Sequence, residues 1–251
     1  MKKGSLPKDM HVPEVNLTSY RNDGYAVLPG IFEARECNSF VESMMDLHRG
    51  QRRLEEFQPR GCDDWRRTHN QHCYDEIALR WLIDFRLYKP LKTMMGDEPE
   101  GIQTMYFWKG SEQRRHQDQY YLPGCISAWI ALQDASEDNG AIRVQPGSHS
   151  GRLISKADFE GSEAEFEGWD YNDAVDKLFE RNEKPEMSIV AAQGDVIFFH
   201  GVLIHGGGPI IKEGQFRHSL ACHYIPYGFS EWPLSWERIS FDGGRRIHTA
   251  S

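Results

Sequence analysis

No stretch of 18 apolar residues occurs anywhere in the chain, so a membrane-spanning helix is not expected. The first residues, MKKGSLPKDMHVPEVNL, carry lysines with no apolar run behind them, which does not read as a signal peptide. No C-x-x-C pair is present. The five cysteines (Cys37, Cys62, Cys73, Cys125 and Cys222) are odd in number, as expected of free thiols in a reducing compartment, and the cytoplasm is the expected location. Positive charge is not in surplus either. Lys and Arg total 29 against 38 Asp and Glu, a formal net charge of −9, which argues against nucleic acid as a partner. Internal repeats and low-complexity tracts are also missing. What is there is an ordinary globular composition, 39% hydrophobic, on a chain of 251 residues. That length can bury a large core as one all-β-type domain over 1–251.

Along the chain, residues 1–16 read as a loose polar arm. GYAVLPGIF reads as a short buried strand leaving a turn at Asp23-Gly24. EARECNSFVESMMDLHRG has apolar residues at helical spacing and stops at Gly50. DEIALRWLIDFRLYKPLKTMMG is helical again, with Asp75 as N-cap, a break expected near Pro90 and Gly96 at its end; Trp81, Phe85 and Leu87 are core candidates. From residue 100 the texture turns to strands, in IQTMYFWK, CISAWIALQD, MSIVAAQGDVIFFHGVLIHGGGP and FRHSLACHYIP. Asn139-Gly140 between two apolar runs signals a hairpin. Residues 151–187, acidic and aromatic, read as an insertion or lid whose Phe166, Trp169 and Tyr171 are placed to close over a substrate.

The chemistry concentrates in RRHQDQYYLPG, residues 114–124. If this is a strand, alternation puts His116 and Asp118 on one face and leaves Gln117 as an outward spacer. An H-x-D pair alone is common. A second histidine, His205, follows the apolar strand GDVIFFH and precedes three glycines that let backbone pass close to a bound group. Two imidazoles and one carboxylate on one side of an ion leave three positions open and suit non-heme Fe(II). Arg217 follows twelve residues after His205, and its guanidinium is suited to clamp a carboxylate. His200, five residues before His205, is expected to be structural. His149 reads as a turn residue, and His218 and His223 as satisfied polar residues rather than site residues.

At this point the chain resembles the phytanoyl-CoA dioxygenase family of Fe(II)- and 2-oxoglutarate-dependent oxygenases. HQDQYYL, AWIALQDASEDNGAIRVQPGSH, GDVIFFHGVLIHGGGP and FRHSLACHY carry the likeness, over about residues 17–226. It implies a mostly β fold with flanking helices, a double-stranded β-helix or jelly roll. It implies His116, Asp118 and His205 as iron ligands and Arg217 as the partner of the far carboxylate of 2-oxoglutarate, with Gln103 and Ser127 as further co-substrate contacts and Trp129 near the iron. Fe(II), 2-oxoglutarate and O2 are the implied cofactors and co-substrates. Two departures stand out. Many members carry H-G-S where this chain has His205-Gly206-Gly207, and the interval to Arg217 is one residue longer than in some, suggesting a bulge around Lys212-Glu213-Gly214. Related halogenases have Gly or Ala where Asp118 stands, so hydroxylation is favoured over halogenation.

The implied partner is a small-molecule substrate; the sequence is silent on oligomeric state. Alternation would bring Arg114 and Tyr120 to the iron face. Together with Tyr121 and the arginine- and histidine-rich stretch around Arg66, they suggest a polar or anionic metabolite, an organophosphonate or acyl-CoA being variants within the class. The competing readings are a cupin-like metal protein or isomerase without oxygenase activity, and a noncatalytic scaffold.

Overall fold

The computed structural model describes residues 13–57, 67–212, 214–215, 217–231 and 236–247. Its first half is helical. Helix α1 (Leu17–Asp23) is capped by the Asn16 side chain and stops at Gly24, and β1 (Tyr25–Leu28) follows. Helix α2 (Ala34–His48) starts on a capping box, Glu33 with Glu36, and buries Cys37, Phe40, Met44 and Leu47 along one stripe. After the short strand β2 (Arg67–His69) come α3 (Glu76–Leu82), capped by Asp75, and α4 (Phe85–Met95), closed by Gly96. The break expected near Pro90 falls instead at Ile83 and Asp84. The Asp84 carboxylate accepts the Arg86 N–H and starts a new helix, while Pro90 sits inside α4 and only removes one ladder bond.

The second half is β: β3 (Pro99–Phe107), β4 (Ile126–Ala131) and β5 (Ile142–Val144), then helix α5 (Tyr171–Arg181) within the insertion. The remaining strands are β6 (Met187–Ser188), β7 (Val196–His200), β8 (His205–Gly207), β9 (Ser219–Pro226), β10 (Glu237–Ser240) and β11 (Arg245–Ile247). The larger sheet runs β1-β7-β4-β9-β3-β10-β11, with β2 also on β3, and the smaller runs β6-β5-β8. All strand pairs are antiparallel. This is the two-sheet jelly-roll arrangement with flanking helices that the strand pattern implied.

Asn139-Gly140 does not make the expected hairpin. β4 pairs with β7 and β9, whereas β5 pairs with β6 and β8, so the chain turns a corner from one sheet to the other. The Asn139 amide holds that corner by bonding Asp134 O and the Ser136 N–H.

Both faces of the large sheet are buried at its centre, which is why β4 reads as an apolar run interrupted only by Ser127. One face packs Ala128, Ile130, Phe198, Leu220 and Tyr224 against α2, α3 and α4. The other gathers Phe107, Trp129, Ile197, Phe199 and Ala221 with Ile142 and Val144 of the small sheet. The site lies between the sheets, where the apolar row gives way to polar residues.

Candidate metal centre

Cross-strand register puts the polar residues in rows. Phe199, Ser127, His223 and Gln103 are successive neighbours across β7, β4, β9 and β3; two residues further along, Trp129, Ala221, Met105 and His69 form the next row. Alternation turns both rows to the same face. The small sheet supplies His205 from β8. His116 meets it through a single antiparallel bridge, with His116 N–H to His205 O at 2.8 Å and His205 N–H to His116 O at 3.1 Å.

That bridge brings His116, Asp118 and His205 together, with ligand-capable atoms within 4.8 Å of one another and all three side chains buried. Asp118 Oδ1 lies 3.4 Å from His116 Nε2 and 3.6 Å from His205 Nε2. Each ring is fixed from behind. His116 Nδ1–H donates to Arg114 O at 2.8 Å and His205 Nδ1–H to Leu203 O at 2.9 Å, which leaves both Nε2 lone pairs facing inward. Burial, then the neighbouring His116, lowers the pKa of His205 to about 4, so the ring is neutral and able to ligate at pH 7. Burial alone would raise the Asp118 carboxyl; the nearby His205, with His116 and His223, outweighs it and holds the group well below the usual carboxylate range. The donor set fits a divalent transition metal with open positions.

Ser127 and Gln103 stand elsewhere than the family likeness implied. Ser127 Oγ–H donates to Asp118 Oδ2 at 2.6 Å, so it orients the carboxylate and leaves Oδ1 for an ion. Gln103 faces an outer chamber rather than the compartment of Arg217. His223, set aside on sequence, sits 3.4 Å from Asp118 Oδ2 and borders both compartments. The signal available for it was its even spacing, two residues from Ala221 on the same strand and six from Arg217.

The inner compartment is walled by Phe107, Trp129, Ile142 and Phe199 and, among the described residues, contains one cation, Arg217. Arg217 is 2% exposed, its Cζ lies 5.0 Å from the centre of the Trp129 ring, and its Nε has no hydrogen-bond partner. Burial lowers its pKa to about 10, so it stays charged at neutral pH. A buried guanidinium lacking an acid is costly, and an anionic ligand beside the triad would satisfy it.

Gly206 and Gly207 let the segment 111–113 pass close. A Cβ at Gly206 would lie 2.8 Å from Gln113 O; one at Gly207 would collide with Ser111 Oγ and lie 2.9 Å from Gln113 N. The Ser111 hydroxyl thus occupies the space that a serine at 207 would fill, and it lines the inner compartment. Of the longer turn before Arg217, Lys212 N–H bonds Asp138 O, and Glu213 lies outside the described residues.

Three expectations for the segment 114–120 change, two of them substrate assignments. Residues 118–120 form a 3-10 turn rather than strand, so Tyr120 is rotated away from Asp118 and stacks on Tyr171 at 3.9 Å. Arg114 is half exposed and pairs with Asp170, Asp173 and Asp176 around the start of α5. Gln117 is no outward spacer: fully buried, its side chain bonds Arg152 O, Val202 O and the Ile154 N–H. Tyr121 borders the outer chamber and Trp129 the inner one, while Arg66 lies outside the described residues.

The insertion braces this segment from outside. Phe166 is buried with Ile154, Val175 and Leu178, and the Tyr171 hydroxyl accepts the Gln117 N–H and donates to Gln117 O. His200, as expected, is structural; its Nδ1 accepts the Val202 N–H. His149 bonds Arg21 O, and His218 bonds the Tyr106 hydroxyl outside the site.

A jelly roll with two histidines and an aspartate converging between its sheets defines the class of cupin-like metal-dependent oxygenases. The profile of the phytanoyl-CoA dioxygenase (PhyH) family matches residues 20–219, and the chain belongs to that family of iron- and 2-oxoglutarate-dependent dioxygenases. The peroxisomal phytanoyl-CoA dioxygenase of Homo sapiens is 32% identical over 126 residues, 46% of this chain and 34% of the human protein. The matched segment thus spans about a third of that relative's length. The fold is similar to EctD from S. alaskensis with bound Fe, at TM-score 0.65, 22% identity and coverage of 88% and 82% of the two chains. It is also similar to HygX from Streptomyces hygroscopicus with nickel and 2-oxoglutarate bound, at TM-score 0.63, 19% identity and coverage of 88% and 90%. Among the described residues no helix is long and apolar enough to cross a membrane.

Proposed function

We propose that the chain is an Fe(II)- and 2-oxoglutarate-dependent dioxygenase that hydroxylates an unactivated C–H of a small polar metabolite. One observation carries the reading: the buried triad and a buried, acid-free arginine share a single compartment. His116, Asp118 and His205 hold the iron, their back-side bonds to Arg114 O, Ser127 Oγ and Leu203 O fixing the donors before the ion arrives. Arg217 pairs with the far carboxylate of 2-oxoglutarate, and Ser111 offers a hydroxyl beside it. When bound, iron with 2-oxoglutarate and O2 supplies the oxidising power for hydroxylation, 2-oxoglutarate leaving as succinate and CO2. The chain contributes orientation and dryness. Phe107, Trp129, Ile142 and Phe199 keep water from the inner compartment, and no general acid or base is required of the protein. Asp118 fills the position that a halide would need, which favours hydroxylation.

The test is an anaerobic titration with Fe(II) and 2-oxoglutarate, followed in the visible range. A weak charge-transfer band that Arg217→Ala shifts to higher 2-oxoglutarate concentration is the expected result. Absence of both the band and any thermal stabilisation by 2-oxoglutarate with Mn(II) overturns the proposal.

A further inference from the structure

The triad has a second side. Beyond His116 and Asp118 lies an outer chamber of about 330 Å³, bordered by Arg67, His69, Gln103, Tyr121, His223 and Trp236. Its only acid among the described residues is Asp118, which the metal centre already uses. That is unusual in a chain with nine more acids than bases, where the other arginines near this segment are matched by carboxylates. Arg67 is the chamber's fixed cation. It stands on β2 opposite Phe107 of β3, half-buried, and no carboxylate among the described residues pairs with it. Its one side-chain hydrogen bond goes from Nη1 to Gln113 Oε1 at 2.9 Å, and its Cζ lies 5.9 Å from the centre of the Phe107 ring.

Gln113 gives that arginine a position relative to the metal. The same amide whose oxygen accepts from Arg67 places its Nε2 3.1 Å from His116 Nε2, the nitrogen that faces the ion. A group bound to the free side of the Arg67 fork therefore lies about one side chain from the reacting position. Inside a partly dry chamber, an unmatched guanidinium with donors to spare selects an oxyanion, which it can hold through two parallel hydrogen bonds.

We propose that the outer chamber is the substrate site and that it takes a small molecule bearing a carboxylate, phosphate or phosphonate group, anchored by Arg67. This rests on the reading of the inner compartment as the 2-oxoglutarate site, because it assigns the buried Arg217 and the half-buried Arg67 to two different anions. Arg67 acts in binding and positioning, with no part in bond breaking. Arg114, the cation nearest the ligands in sequence, has no part in it.

The experiment uses the protein saturated with Mn(II) and 2-oxoglutarate, so that Arg217 and the metal are already engaged. Inorganic phosphate, methylphosphonate and acetate are titrated separately, with methyl acetate as the neutral probe. Tryptophan fluorescence and melting temperature are read. At least one anion is expected to bind where the neutral ester does not. Arg67→Gln weakens that binding by about tenfold or more, the scale of one charged hydrogen bond, while Arg67→Lys, which keeps the charge and loses the fork, retains part of it and Arg114→Ala leaves it unchanged. Preference among the three anions separates a carboxylate from a phosphate or phosphonate substrate. Equal binding by wild type and Arg67→Gln, or binding of methyl acetate alone, overturns the proposal. A fold defect in Arg67→Gln would show as lost 2-oxoglutarate binding; Arg67→Lys then decides, since retained anion binding supports the proposal and its loss with 2-oxoglutarate binding intact overturns it. Failure of 2-oxoglutarate to bind wild type at all refutes the inner-compartment reading instead, and Arg67-dependent anion binding would still establish the outer site.

Discussion

Two pairs of arginines flank the segment that carries His116 and Asp118, and they live under opposite conditions. On the outside, Arg114 and Arg115 meet Asp170, Asp173, Asp176 and Glu186 of the insertion, and Arg115 also covers the Phe179 ring. On the inside, Arg67 and Arg217 meet no carboxylate among the described residues. The acidic surplus of the chain is thus distributed unevenly. It neutralises the cations that attach the insertion and is kept away from those that face the two compartments. Exposed pairs of the first kind hold structure weakly, whereas a buried cation of the second kind destabilises the empty protein and gains its partner on binding.

The comparison can be broken in order of effect. Asp118→Ala removes a ligand from the proposed iron site; metal binding by calorimetry and succinate release should both fall by more than about a hundredfold, beyond the range for an outer-shell partner. Arg217→Met should raise the 2-oxoglutarate concentration needed for the visible band by about 10–100-fold. It should also raise the melting temperature of the ligand-free protein, since an unsatisfied buried charge is replaced by an apolar side chain. A lower melting temperature would mean that Arg217 has a structural partner. Ser127→Ala leaves Asp118 Oδ2 less constrained, and metal affinity should drop about 10–100-fold with 2-oxoglutarate affinity unchanged at saturating metal.

The interior also holds proton-sensitive groups. His48, His72 and His205 are buried, and burial in each case lowers the folded pKa to about 4. Unfolded histidines protonate near pH 6.5, so between about 6.5 and 4 the unfolded chain binds more protons and stability falls with pH. Urea melts of the metal-free protein should show a loss of up to about 1.4 kcal/mol per pH unit for each histidine; a flat profile over that window contradicts it. The smallest effect belongs to the exposed side. Arg114→Ala should leave the melting temperature nearly unchanged despite three acidic neighbours, and any remainder should shrink in high salt.

The triad itself was legible in the sequence because its parts lie in segments with strong local signatures: an H-x-D after two arginines, and a histidine between an apolar strand and three glycines. Arg217 was legible from its distance to His205. The errors share one cause, which is treating 114–120 as a regular strand. A strand needs a ladder to hold its alternation, and here the ladder is one bridge at His116, after which a 3-10 turn rotates each residue by about 120°. Asp118 stays with His116, but Tyr120 leaves; Gln117, still in extended backbone, points to the opposite side, which is buried by bonds with 152, 154 and 202 that no local pattern encodes. Arg67 reads from the sequence only as one member of the arginine- and histidine-rich stretch around Arg66. Its three-residue strand gives almost no periodic signal, and its importance comes from the carboxylates it does not meet, which only the fold reveals.

The close approach of residues 111–113 to Gly207, which leaves no room for a Cβ there, has a consequence for how such chains diverge. A serine at 207 and the present course of 111–113 exclude each other sterically, so the two positions are not free to drift independently. A hydroxyl beside the triad can come from the histidine strand or from the neighbouring loop, but a lineage passing from one to the other must cross an intermediate with both or neither. Since Gln113 rides on that same loop, the choice made at 207 reaches into the outer chamber and ties the history of one compartment to that of the other.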